Sequence, residues 1–156
     1  MTVTLTSNYK EVFAAETLEY IEDNYIEYDL QAMLTFVDEH SESDLVNFYD
    51  EYIRCGEAIG YEAVDALIET QGCVSYIENC DERYQGCYQK TADFAEEFYT
   101  STMCLDIPSA IVVDWEATWE TSLYYDFTAC NDGSTYCPIH IFSDNWYYVT
   151  HVVVAQ

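Results

Sequence analysis

Thiols recur at seven-residue intervals at Cys73, Cys80 and Cys87, and again at Cys130 and Cys137, with His140 three residues further on. Thiolates and imidazoles are the usual ligands of zinc, but structural zinc sites draw on close pairs of the C-x2-C kind, and none is present. Cys130, Cys137 and His140 are the set that could still converge on a metal. Thiols in such a pattern more often serve as small buried hydrophobes, so the expectation is no metal and no cofactor. The other histidines, His40 and His151, stand in no nucleophile–base frame, and the chain has no G-x-S-x-G, P-loop, G-x-G-x-x-G or H-E-x-x-H motif. The acids between Asp126 and Gly133 lack EF-hand spacing. A glycosidase needs two carboxylates, but with 30 Asp and Glu some pair fits any spacing, so a pair carries no information. No catalytic residue is assigned, and the chain is read as a non-enzyme.

The carboxylates are informative as a set, through the elements that must carry them. A helix starting near Ser7 or Asn8 turns Phe13, Ala14, Thr17, Leu18, Ile21 and Tyr25 to one side, and Glu11, Glu16, Glu19, Glu22 and Asp23 to the other. A second, over residues 29–39, turns Leu30, Met33, Leu34 and Val37 inward. A third runs from the cap-rich 41–44 junction to about Cys55, with Leu45, Val46, Tyr49, Tyr52 and Ile53 inside and Asp50, Glu51 and Arg54 outside. Gly56 is its expected stop, and Asp50 and Arg54 have the i,i+4 order of an ion pair. A fourth helix, over 61–70, buries Val64, Leu67 and Ile68, shows Glu62, Asp65 and Glu69, and ends at Gly72. Residues 1–78 therefore read as a small helical bundle.

Residues 79–156 read as α+β. The stretch 73–77 just before them is ambiguous between strand and helix, and Gly86 signals a turn. Thr91 caps a helix over 92–99 with Phe94 and Phe98 inside and Asp93, Glu96 and Glu97 outside. Pro108 breaks the chain, residues 111–113 are strand-like, and Asp114 caps a short helix holding Trp115, Trp119 and Leu123 on one side, with Glu116 and Glu120 among its acids. Strands are predicted over 124–128 and 136–142, around a turn at 131–133, and over 146–154. The N-terminal MTVTLT is strand or frayed end. The fold class is α+β, a small helical bundle followed by an α+β domain with a short antiparallel sheet.

Composition sets the limits. The 156 residues carry 30 Asp and Glu against 4 Lys and Arg, a formal charge of −26. Half are hydrophobic and 17% aromatic, which excludes an acidic disordered tail. Four cations cannot neutralise a row of phosphates, and an anionic membrane would repel the chain, so neither direct nucleic-acid binding nor membrane binding is expected. With no leader-like N-terminus and no spanning apolar run, the expected location is the cytoplasm, with reduced thiols. Thirty acids over the roughly 8,000 Å² exposed by a fold of this mass give about one charge per 270 Å². B-DNA, taken as a cylinder of roughly 10 Å radius with one charge per ~1.7 Å of axis, has about one per 110 Å². Gathered on about 40% of the surface, these acids would match DNA's charge density. Crowded carboxylates also raise one another's pKa, so salt or mild acid is expected to stabilise the fold.

A further pattern lies in the second half. The run D-E-R-Y-Q-G-C-Y-Q at 81–89, A-D-F-A-E-E-F at 92–98, Ile107-Pro108, V-D-W-E-A at 113–117 and H-I-F at 140–142 resemble, in order and near spacing, motifs of the ArdA antirestriction proteins. The resemblance implies an elongated acidic DNA mimic that occupies the DNA-binding groove of a type I restriction–modification enzyme. It also implies a helical middle domain, an α+β final domain and, as in many members, a homodimer. The family's N-terminal β domain has no counterpart in this reading, and Trp115 and Trp119 depart from its usual residues. The partner-binding candidates are the fourteen acids Glu16, Glu19, Glu22, Asp23, Asp50, Glu51, Glu62, Asp65, Glu69, Asp93, Glu96, Glu97, Glu116 and Glu120. The alternatives are mimicry directed at a nucleoid protein, polymerase component, nuclease or CRISPR effector, or an acidic metal- or substrate-binding protein.

Overall fold

The computed structural model describes residues 13–24 and 30–144. The starts proposed before Phe13 and the strand proposed over 146–154 lie outside them. Helix α1, Ala15–Asn24, buries Thr17 and Ile21. Helix α2, Leu30–Glu39, buries Met33 and Phe36. Helix α3, Glu42–Ile59, is capped by extended Ser41, whose Oγ accepts the Asp44 N–H at 3.1 Å. In its first turn the Glu42 carboxylate accepts the Ala14 N–H at 2.7 Å, which ties the start of α1 to α3.

Gly56 does not stop α3. The helix runs one turn further, to Gly60, whose N–H bonds the Gly56 carbonyl at 2.9 Å and whose φ of 97° turns the chain straight into α4, Tyr61–Gln71. Gly56 is required for packing: a Cβ there would lie 2.2 Å from the Tyr61 ring. Helix α4 ends as expected at Gly72, left-handed at φ 75°, with its N–H on the Ile68 carbonyl.

Residues 74–77 resolve the strand–helix ambiguity as a 3₁₀ turn that buries Val74 and Ile77, and the single turn α5, Cys80–Arg83, follows. Strand β1, Tyr84–Tyr88, contains Gly86, which at φ 115° marks a register irregularity inside the strand and not a turn. Helix α6, Thr91–Glu97, has Lys90 at its cap position, so Thr91 is its first residue; it widens into a π turn, Phe98–Thr102, closed by the Met103 N–H on the Phe98 carbonyl. Residues 111–113 are not a core strand: Ile111 and Val112 are exposed. Asp114 does cap α7, Trp115–Thr118, accepting the Ala117 N–H at 3.0 Å, and α7 also widens into a π turn, Trp119–Leu123. Strands β2, Phe127–Asn131, and β3, Ile139–Ser143, begin three residues later than predicted.

The antiparallel sheet has the order β1-β3-β2, and its alternation joins two cores. Phe142 and Cys130 point into the bundle with Leu45, Val64, Leu67 and Ile77. Ile141 and Phe127 point the other way, onto Phe94, Phe98, Trp119 and Leu123. The sheet is thus a middle layer, with α1–α4 on one face and α6 and α7 on the other. The architecture is α+β. Among the described residues no helix is long and apolar enough to cross a membrane.

Alanine favours a helix interior over glycine by about 1 kcal/mol, but at Gly56 its methyl must displace the Tyr61 ring from its contact with Tyr52. Gly56→Ala should lower stability by about 1–2 kcal/mol through overpacking. In a Tyr61→Ala background the same change should raise it by up to about 1 kcal/mol. Urea midpoints of the four proteins check this; stabilisation in the parent would contradict the Tyr61 packing.

Candidate functional site

Thirteen of the fourteen candidate acids are exposed. Glu16, Glu19, Glu22 and Asp23 line the outer side of α1; Glu62, Asp65 and Glu69 stripe α4; Asp93, Glu96 and Glu97 share α6; Glu116 lies on α7 and Glu120 in its π extension. Three and four residues apart on a helix, such carboxylates are about 5–6 Å from one another.

Some of these acids are held by phenols. Tyr20 donates to Asp50 across α1 and α3 at 3.0 Å, and Tyr52 donates to Asp65 across α3 and α4 at 2.8 Å. The Tyr88 hydroxyl donates to the Gln85 carbonyl at 3.4 Å, and burial followed by the Glu97 charge pushes this phenol up to about 12. A phenol orients a carboxylate without cancelling its charge.

Glu51 is the exception. Arg54 does not pair with Asp50 as its spacing suggested; it turns toward the 77–81 segment, contacts Glu51 and forks onto Asp81 at 2.8 and 3.1 Å. Glu51 also accepts the Asn79 N–H at 3.1 Å. It is an internal strut, not an outward charge. Burial raises the Glu51 carboxyl, but Arg54 and Asn79 more than offset this and leave it below its ordinary value. Arg54 lowers Asp81. Glu51, Asp81 and the Cys55 thiol are the metal-donor group among the described residues. The Arg54 guanidinium already occupies both carboxylates, and burial raises the thiol, so the arrangement is an ion-pair network. Sequence reading also passed over exposed Asp38 and Glu39 at the end of α2 and Glu57 on α3. Glu57 was hidden by reading Gly56 as a stop.

Cys130, Cys137 and His140 do not converge as a donor set. Cys137 is bridged to Cys87 in a disulfide, which corrects the expectation that all seven thiols are reduced. Cys130 is buried in the bundle core. His140 Nε2 meets Asp132 at 2.7 Å, and its Nδ1 meets the Tyr84 hydroxyl at 2.8 Å. The order Asp–His–hydroxyl has the form of a nucleophile relay, but burial and the Asp132 charge push the Tyr84 phenol up, the wrong direction for a nucleophile. The triad instead anchors the 131–138 loop to the sheet.

These carboxylates divide by direction. Asp65 is raised, chiefly by burial, with the Tyr52 hydrogen bond opposing the shift and the Glu39 and Glu62 charges adding to it. Asp132 runs the other way, lowered from the ordinary 3.8 to about 2 by His140 and by Ser134. A lowered carboxylate stabilises the fold above its ordinary pKa and loses that contribution as pH falls through the folded value. Asp132→Ala, which also leaves buried His140 without this partner, should cost about 2–3 kcal/mol at neutral pH. It should also flatten the loss of melting temperature as pH falls from about 4 to about 2. An unchanged acid limb in melts of the variant would contradict this role.

Compared with protein-family models, curated proteins and solved structures, the chain finds no match.

Proposed function

We propose that this chain is a non-enzymatic DNA mimic that inhibits a DNA-binding host defence enzyme, a type I restriction–modification complex first among the candidates, by occupying its DNA-binding groove. The observation that carries the reading is the exposure of thirteen candidate carboxylates on the outer sides of helices from both halves of the chain, with the cation Arg54 spent on an internal network. The order of motifs over residues 81–142, similar to that of the ArdA family, supports the same reading.

The mechanism is competition. Lys and Arg side chains that normally hold phosphates meet helix carboxylates at comparable spacing, and the field of a chain at −26 accelerates encounter with a basic groove. Phenol-held acids such as Asp50 and Asp65 add fixed positions to that field. On this reading the protein acts in the host cytoplasm, needs no metal or cofactor, and binds neither nucleic acid nor membrane.

Each exposed pair contributes little, so binding is distributed. Neutralising one acid, as in Glu96→Gln, should raise the concentration for half-inhibition of restriction by less than about threefold. Reversing Glu16, Glu19, Glu22 and Asp23 together to Lys, or Asp93, Glu96, Glu97 and Glu116 together, should raise it on the order of 100-fold for at least one set. Circular dichroism confirms that each variant is folded. If neither reversal moves inhibition, the mimicry reading fails.

A further inference from the structure

Between α2, α3 and the start of α4 lies an open cavity of about 540 Å³ whose lining includes Phe36, Glu39, Tyr49, Tyr52, Ile53 and Tyr61. It combines rings with acids. Phe36 contacts Tyr49 and Tyr52 with ring centres 5.2 Å away in each case, and Tyr52 contacts Tyr61 at 5.4 Å. Phe36 and Tyr49 are buried and form the floor; half-buried Tyr52 and exposed Tyr61 form the accessible wall. Gly56, by lacking a side chain, gives the Tyr61 ring its seat.

Acids gather at one end. The Tyr52 hydroxyl donates to Asp65, which draws negative charge toward the ring edge. Glu39 is part of the lining, and its charge acts on both Tyr52 and Asp65, with Glu62 adding to the effect on Asp65. The His40 ring stands beside this end, edge-on to Phe36 at 4.7 Å.

We propose that this cavity is a guanidinium site that receives an arginine side chain of the protein partner. The proposal rests on the DNA-mimic reading for the identity of the partner and on the cavity for the chemistry. A guanidinium is planar and weakly hydrated; it stacks on aromatic faces and forks onto carboxylates. The Tyr52 and Tyr61 rings offer the first contact and Glu39 the second. A lysine ammonium is more strongly hydrated and loses more on entering a ring-lined cavity. Outward helix acids resemble phosphates in charge and spacing; a desolvated ring-and-acid pocket turns one point of the surface into an anchor of the kind that dominates interfaces.

The test uses the whole chain and two blocked peptides of equal charge, tetra-arginine and tetra-lysine, titrated by calorimetry at fixed ionic strength. The arginine peptide should bind at least fivefold more tightly. Tyr61→Leu and Glu39→Gln should each reduce that preference below twofold, with folding confirmed by circular dichroism, and Asp106→Asn in the exposed 104–112 stretch should leave it intact. Equal binding of the two peptides to the parent protein, or a preference that survives both cavity variants, overturns the site. So does tighter binding of a trimethyl-lysine peptide than of the arginine peptide. An arginine preference with the expected variant pattern in a protein that fails to inhibit restriction sustains the cavity chemistry and sinks the mimicry reading; inhibition without the preference does the reverse.

Discussion

A hydrogen bond from a phenol to a carboxylate holds a negative charge in place and leaves it negative. This chain relies on that interaction because it has few alternatives: four Lys and Arg cannot position thirty acids. Tyr20 and Tyr52 each reach an acid across a helix–helix joint, and Tyr88 lies in the field of Glu97. Their rings meanwhile take part in the packing between layers, with Tyr20 and Tyr52 against the bundle core and Tyr88 against the core on the other face of the sheet. One residue type thus supplies apolar area for the interior and a neutral donor for the surface.

Where cations are used, they serve the interior. Arg54 ties α3 to the turn before the sheet through Glu51 and Asp81. Arg83 spends its guanidinium on the carbonyls of Tyr76 and Ser143, linking the 3₁₀ turn to the end of β3. Both reinforce the junction at which the bundle meets the sheet, where Phe142 and Ile141 face opposite cores. The repulsion among the acids on the outer helices is opposed by apolar burial on both sides of β3.

Much of this was legible in the sequence because it rests on local rules. Acid faces opposite apolar faces placed α1 to α4 and α6, and Ser41, Gly72 and Asp114 behave as caps or stops by their own side-chain or backbone chemistry. What was missed depends on residues distant in the fold. Gly56 looked like a terminator, but it is small because Tyr61 lies over it. Ile111 and Val112 have strand-forming side chains, but they are exposed, and among the described residues no strand pairs with them. Arg54 had a suitable partner at Asp50, yet Asp81 offered a two-pronged one from another element. The exposure of the candidate acids followed from helix periodicity. The ring-lined cavity did not, because Phe36, Tyr52 and Tyr61 come from three helices whose packing no local pattern encodes.

The Cys87–Cys137 bridge closes a covalent circuit over a sequence separation of 50 residues, and the circuit contains α6, α7 and β2. It also contains the exposed stretch 104–112, which lacks regular secondary structure. A protease that cuts there makes two polypeptides but not two molecules. The first keeps β1 and α6, the second keeps α7, β2 and β3, and the sulfur bridge and the β1–β3 ladder hold them together. While the bridge stays oxidised, the protein can therefore persist as a nicked two-chain species, with its outer carboxylates still displayed on one body.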